Sequence, residues 1–332
     1  MLNPDLKLNQ NIFNQEIEQK PIRDGYGLAL VELGESDSNI VVLTADLVES
    51  TRAEAFAKKF PERFFEVGVA EQNMAAIAAG LAVSGKIPFI SSYATFSPGK
   101  NLETIRTTIV YNRANVKIAG HHAGVVTGPD GATHQATEDL AITRSLPGLT
   151  IFSPCDAEEA KKVTLESVRV DGPVYLRFVR DKTPILTTAA TPFAKDNLPV
   201  FWLSQNPTAV IFATGHLLFQ ALIAAKELEE DGIDVLVVNV VTIKPLPEKE
   251  LVGLVEKTGA VVTVEDHQVV GGLGGAIAEI LARTAPAPIE FIGLQDRFAE
   301  SGRLNDLIEK YNLGSVAIKA AVKKVIQRKK TR

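Results

Sequence analysis

Glu71 lies in the run Phe64-Phe65-Glu66-Val67-Gly68-Val69-Ala70-Glu71-Gln72-Asn73-Met74, where a short strand gives way to an Ala/Gly-rich helix. A carboxylate at the start of a helix is favoured by the dipole whether or not it does chemistry. The next residues, Met74-Ala75-Ala76-Ile77-Ala78-Ala79-Gly80-Leu81-Ala82, are small enough for a closely packed helix, and burial of that helix is expected. Desolvation raises a carboxylate pKa, so a buried Glu71 could share a proton with the ring nitrogen of a bound heterocycle.

A second constellation is Gly120-His121-His122-Ala123-Gly124-Val125-Val126-Thr127-Gly128-Pro129-Asp130-Gly131-Ala132-Thr133-His134-Gln135, with three of the five histidines. It follows a strand and precedes a helix near Glu138, the place where open α/β sheets seat ligands. Its donors and acceptors suit a polyhydroxylated substrate. A metal site from His121, His122, Asp130 and His134 has no standard ligand spacing behind it, and a solvated loop with incidental histidines remains an alternative.

Tyr93 and Phe96 follow an apolar strand in Ser92-Tyr93-Ala94-Thr95-Phe96-Ser97-Pro98, where a ring can join the core or stack on a heteroaromatic cofactor. Among Arg23, Arg106, Arg113, Arg177 and Arg180, only Arg180 is singled out by position, at the end of a strand. The run Val264 to Gly275 is glycine-rich but lacks the GxGxxG spacing, so helix packing or an interface explains it better than anion binding. Cys155, the only cysteine, excludes an intrachain disulfide and fits a reducing compartment. Beside the expected N-cap Asp156 its thiol pKa could be lowered, although a structural role is the preferred reading.

These residues need elements to hold them, and the chain supplies an α/β alternation. Ile40 to Ala45, Ile87 to Ser91, Val116 to Ala119, Leu149 to Phe152 and Val174 to Phe178 read as strands. Helices are expected over Gln72 to Ser84 and from Asp156 onward. The proline-rich stretch 183–207 reads as a linker. Beyond it the alternation restarts, with strands at Ala209 to Ala213, Val235 to Val241, Val261 to Glu265 and Ile289 to Ile292. Leu217 to Glu230, Pro247 to Lys257 and Gly275 to Arg283 read as the intervening helices. The expectation is an α/β fold of two consecutive domains: an extension at 1–20, a mostly parallel-sheet domain at 21–182, the linker, and a smaller domain at 208–332.

At 332 residues, 45% hydrophobic and 23% charged, the composition is that of a folded two-domain protein. A net charge of −5 offers no general attraction for nucleic acid or an anionic membrane. No run approaches the ~18–20 apolar residues that span a bilayer, and the polar opening is unlike a signal peptide, so a cytoplasmic location is expected. The basic tail Arg328 to Arg332 is expected to fray.

Taken in order, Arg23, Thr44-Ala45-Asp46-Leu47, Gly68-Val69-Ala70-Glu71-Gln72, Tyr93-Ala94-Thr95-Phe96, His122, Asp130-Gly131-Ala132-Thr133-His134-Gln135 and Arg180 resemble the pyrimidine-binding and C-terminal domains of the transketolase family. The resemblance runs from about Pro21 over nearly all the chain. It implies a thiamine diphosphate enzyme that moves a two-carbon ketol unit from a ketose phosphate to an aldose phosphate. Glu71 would then bond N1′ of the cofactor aminopyrimidine and favour its imino tautomer, the step that activates the thiazolium carbon. Phe96 and Tyr93 would pack on that ring, and Asp46 would lie near the cofactor and a subunit contact. His122 and His134 join Glu71 as expected catalytic residues. His122 and Asp130 would bind substrate hydroxyls, with Arg23, Ser50, His134 and Arg180 lining the sugar-phosphate site.

The family's Gly-Asp-Gly diphosphate motif is absent from the sequence, so no metal ligand is expected in this chain. The Mg²⁺ (or Ca²⁺) and the diphosphate are expected on a separate N-terminal transketolase subunit, by analogy in an α2β2 heterotetramer. Rival readings are a 2-oxoacid dehydrogenase E1 β-type subunit, a 1-deoxyxylulose 5-phosphate synthase-like enzyme, and a non-catalytic assembly or regulatory subunit. The Asp130-Gly-Ala-Thr-His134-Gln135 run argues for sugar chemistry over the first.

Overall fold

The computed structural model describes residues 1–331 and consists of two α/β domains with mostly parallel sheets. Seven strands form the first sheet, in the order Thr242–Lys244, Thr150–Phe152, Val174–Arg177, Lys117–His121, Ile87–Tyr93, Ile40–Thr44 and Phe64–Glu66. All neighbours are parallel except the first pair. Strands buried on both faces need unbroken apolar runs, and Ile40–Thr44 is buried at every position. The second sheet runs Ile289–Leu294, Val261–Gln268, Ala209–Ala213, Val235–Asn239 and Val200–Trp202, with only the last strand antiparallel.

The two sheets are physically joined. Thr242–Lys244 leaves the second domain to extend the first sheet, pairing with Thr150–Phe152. The stretch expected to run as one strand to Val241 therefore ends at Asn239, and the chain crosses over. At the other end, Gln19–Pro21 pairs with Lys182–Pro184, Leu2 bridges to Trp202, and Leu8 and Ile12 are buried. Residues 183–207 carry the Val200–Trp202 strand and lie against both domains.

Three expectations are corrected. The helix Glu71–Val83 is buried only on the face carrying Glu71, Met74, Ala75, Ala78 and Ala79, while Asn73, Ala76, Gly80 and Val83 are exposed. The basic tail does not fray through Lys330: it is the last turn of the helix Ser315–Lys330, where Arg328 pairs with Glu290 and Lys329 donates to the Thr258 carbonyl. Arg332 lies outside the described residues. Finally, the Cys155 thiol is pushed up, first by burial and then by the Glu159 and Asp156 carboxylates. Asp156 does cap the helix Ala157–Ser167, accepting from the Glu159 amide at 2.8 Å.

No helix among the described residues is long and apolar enough to cross a membrane.

Candidate active site

Parallel strands point their carboxyl ends the same way, so residues just beyond them gather along one edge. Asp46 and Ser50 follow the Ile40 strand, Glu71 follows Phe64–Glu66, Tyr93 ends its strand with Phe96 beyond it, His122 follows Lys117–His121, and Arg180 follows Val174–Arg177. Arg23 reaches the same edge from the first turn of the helix Ile22–Ser36.

Glu71 opens its helix and is only 2% exposed. Its carboxylate Oε2 lies 3.2 Å from the Lys100 ammonium, and its carbonyl accepts from Asn101 Nδ2 at 3.0 Å. Neither Lys100 nor Asn101 carries a signal in the sequence beyond following Phe96 in the same segment. Burying a carboxylate costs free energy unless it is paired, and here the cation beside it, Lys100, is itself half-exposed.

Four rings form the next part. Tyr93 and Phe96 stack with centroids 5.9 Å apart and planes 17° apart. The His122 ring packs on Tyr93 at 3.9 Å, and His134 meets Phe96 edge-on at 5.5 Å. Thr95 Oγ1 donates to the Thr133 carbonyl at 3.4 Å, tying the aromatic segment to the histidine loop.

His122 takes a positive φ of 54°, an uncommon backbone for a non-glycine residue, and its ring lies against Tyr93 at the strand end. Its Nε2 is 2.6 Å from Arg23 Nη1. A guanidinium can only donate, so Nε2 is the acceptor and the ring proton sits on Nδ1, which is buried without a partner. Burial first, then the Arg23 charge, pushes the His122 pKa down to about 3. The unfolded chain therefore binds a proton between the ordinary value and about 3 that the folded chain refuses, so this group's contribution to stability is lost as pH falls through that window. We expect the His122 ring resonances to stay flat in NMR from pH 8 to pH 5. In Arg23→Met the midpoint should rise yet stay below the usual histidine value, because burial remains. A midpoint near 6.5 in the unsubstituted chain would contradict this geometry.

Arg180 donates to Asp130 Oδ1 at 3.0 Å and to the Thr127 carbonyl at 2.9 Å. His134 Nδ1 bonds Thr133 Oγ1 at 2.9 Å. Arg23 and Arg180 thus bring guanidinium donors to one rim with the His122 and His134 rings and the Asp130 carboxylate as an acceptor, a composition suited to a phosphorylated polyol. Two expected members stand apart from this group. Asp46 is exposed with φ of 61°, its amide held by Glu66 Oε1 at 2.7 Å, and Ser50 is half-buried in the turn that ends at Arg52. No hydrogen bond joins either to the other site residues among the described residues.

The rival metal cluster is not assembled. His121 is buried between Tyr26 and Phe178, Asp130 is held by Arg180, and no group of three metal-ligand side chains gathers among the described residues. Arg106 and Arg113 are exposed, while Arg177 is buried against Asp139 at 2.8 Å. In the Val264 to Gly275 run, the helix-start amides of Leu273 and Gly274 are bonded by the chain's own Glu265 carboxylate at 2.7 and 2.8 Å. A Cβ on Gly272 would come within 1.9 Å of that carboxylate, which explains the glycine as a packing requirement.

A heteroaromatic ring fits these residues: a buried carboxylate with a displaceable cation, a stacked aromatic pair, and the orphaned Nδ1 of His122 beside them.

Residues 18–185 match the model described as "Transketolase, pyrimidine binding domain" and residues 202–318 match "Transketolase, C-terminal domain". The chain is 42% identical over 305 residues to a protein of Methanocaldococcus jannaschii named "Putative transketolase C-terminal section", with 90% of this chain and 94% of that one covered. It is 36% identical to a 6-deoxy-6-sulfo-D-fructose transketolase subunit of Clostridium sp. (strain MSTE9), covering 96% and 99% of the two chains. A solved structure titled "Split gene transketolase, inactive beta4 tetramer" overlays with a TM-score of 0.85 at 42% identity, covering 93% of this chain and 99% of that one.

Proposed function

Because this chain belongs to the transketolase family, we propose that it is the cofactor-activating subunit of a two-chain transketolase that transfers a ketol unit between sugar phosphates. The observation that carries the reading is the buried Glu71 carboxylate, placed at the same strand-end edge as the Tyr93–Phe96 pair and the His122–Arg23 pair.

Thiamine diphosphate, when bound, supplies the electron sink for breaking the bond between C2 and C3 of a ketose. The work of this chain is different. Glu71 holds a proton at the pyrimidine N1′ and so keeps the exocyclic nitrogen basic. Lys100, half-exposed and 3.2 Å from that carboxylate, is the cation that would give up its place to the ring. Phe96 and Tyr93 offer flat apolar faces to the ring. Neutral His122, held through Nε2 by Arg23, and Asp130, held by Arg180, would line the end of the site that takes the substrate hydroxyls. Arg180, Arg23 and His134 receive the phosphate end.

The Mg²⁺ and the diphosphate fall to an N-terminal partner, since the sequence carries no Gly-Asp-Gly motif. The surface around the Glu71 helix suits such a contact: Val69 just before the helix and Val83 at its last turn are 70% and 79% exposed, and Phe65 of the preceding strand is partly so. The relative titled an inactive β4 tetramer supports the same view, that such a chain assembles with itself without turning over.

The test is a coupled assay on this chain co-expressed with its partner, supplied with thiamine diphosphate and Mg²⁺. Xylulose 5-phosphate with ribose 5-phosphate should yield seven- and three-carbon products. Turnover of pyruvate alone would instead favour a 2-oxoacid dehydrogenase or synthase activity, and no turnover of either would favour a non-catalytic subunit.

A further inference from the structure

The loop that carries His122, Asp130 and His134 belongs to the first domain, yet much of what holds it comes from the second. Asp266, on the Val261–Gln268 strand, is 1% exposed. Its Oδ1 accepts from the Val125 amide at 2.9 Å and its Oδ2 from the Val126 amide at 3.5 Å. His216 Nε2 lies 3.1 Å from Oδ2 and braces the carboxylate from the far side, and the Arg177 guanidinium donates to the Asp266 carbonyl at 2.7 Å. The loop is shaped to this contact. Gly124 has φ of 80°, and a Cβ there would meet Asp266 Oδ2 at 2.1 Å, so the carboxylate fills the space a side chain would need.

The hold reaches the site in one further residue. Thr127, next after Val126, donates to the His122 carbonyl at 2.5 Å and gives its own carbonyl to Arg180. The same domain grips the loop again downstream, where the Glu300 carbonyl accepts from Gln135 Nε2 at 3.1 Å.

We propose that Asp266, braced by His216, is a positioning residue for this loop, which gives the C-terminal domain a part in substrate binding and rests on the sugar-phosphate reading above. A buried carboxylate accepting two successive amides fixes the backbone between His122 and Asp130. Misplacing binding groups by about 1 Å costs up to ~10²-fold in rate, so the effect should be visible in kinetics.

Asp266→Asn is tested on the full chain by hydrogen–deuterium exchange and on the co-expressed pair by steady-state kinetics. Exchange in the peptide covering residues 123–128 should speed up roughly tenfold or more, while the Ala209–Ala213 strand stays protected. The KM for the sugar-phosphate donor should rise, with kcat/KM down roughly 10–10²-fold and cofactor affinity unchanged. His216→Gln leaves the carboxylate in place and should shift both readouts the same way by less, which keeps the test available should Asp266→Asn not fold. Unchanged exchange in that peptide would overturn the proposal whatever the activity. So would a fall in kcat alone at constant KM, the mark of a smaller folded fraction. Faster loop exchange in a pair that turns over no sugar phosphate would uphold the clasp and defeat the sugar-phosphate reading instead.

Discussion

Replacing Glu71 with Ala should reduce turnover of the assembled enzyme by at least ~10²–10⁴-fold, the usual contribution of a placed proton-transfer group. The fold should survive the change. The Asn101 bond goes to the Glu71 backbone carbonyl, which alanine keeps, and the Lys100 ammonium is exposed enough to be rehydrated once its partner is gone. Glu71→Gln is the sharper variant, because it keeps the volume and loses only the carboxylate's proton exchange. Both should bind sugar phosphate with little change in KM, since the residues at that end of the site lie on other segments. Steady-state kinetics with thermal melts followed by circular dichroism would check this pair. Near-normal turnover in Glu71→Gln would remove Glu71 from the mechanism.

Arg177→Met should cost ~3–5 kcal/mol in unfolding free energy, the usual result of breaking a buried ion pair from one side. Arg177 and Asp139 are 2% and 1% exposed, with Nε to Oδ2 at 2.8 Å, and Tyr175 donates to the same carboxylate oxygen at 2.7 Å. Without the guanidinium, Asp139 is left charged and buried with a single phenol for company. The double variant Arg177→Met with Asp139→Leu should recover more than half of the loss, because it removes both buried charges. Urea unfolding at pH 7 would measure both. A double variant no more stable than Arg177→Met would show that the pair is not what holds this junction.

Much of the scaffold is legible before any coordinates. Ile40-Val41-Val42-Leu43-Thr44 reads as a strand because β-branched and apolar residues run without a polar break, and a strand buried on both faces requires that. Glycine-rich and polar runs after such strands mark the ligand edge by the same logic, which is why Glu71, Tyr93, His122 and Arg180 all lie there. Contacts between distant segments are not legible in this way. Thr242–Lys244 pairs with Thr150–Phe152 from another domain, and nothing local in either run announces the partner. The tail offers the same lesson: Arg328 and Lys329 look like a solvated cluster until Glu290 and the Thr258 carbonyl are brought beside them. Likewise Asp266 is one acid among neighbours in a glycine-rich turn, and only the folded chain sets it against the amides of Val125 and Val126. The exposed face of the Glu71 helix misleads for a different reason. Small residues that permit close packing inside a chain permit it equally between chains, so composition alone cannot say which.

In the proposed enzyme this chain contributes the activating acid to a cofactor whose phosphates another polypeptide holds. A reconstitution titration tests it most directly: a fixed amount of the N-terminal partner with thiamine diphosphate, Mg²⁺ and the two pentose phosphates, titrated with this chain while product is followed. Neither chain alone should turn over, and the rate should rise with added chain and saturate at equimolar addition. Turnover by this chain without the partner, or by the partner without this chain, would contradict it.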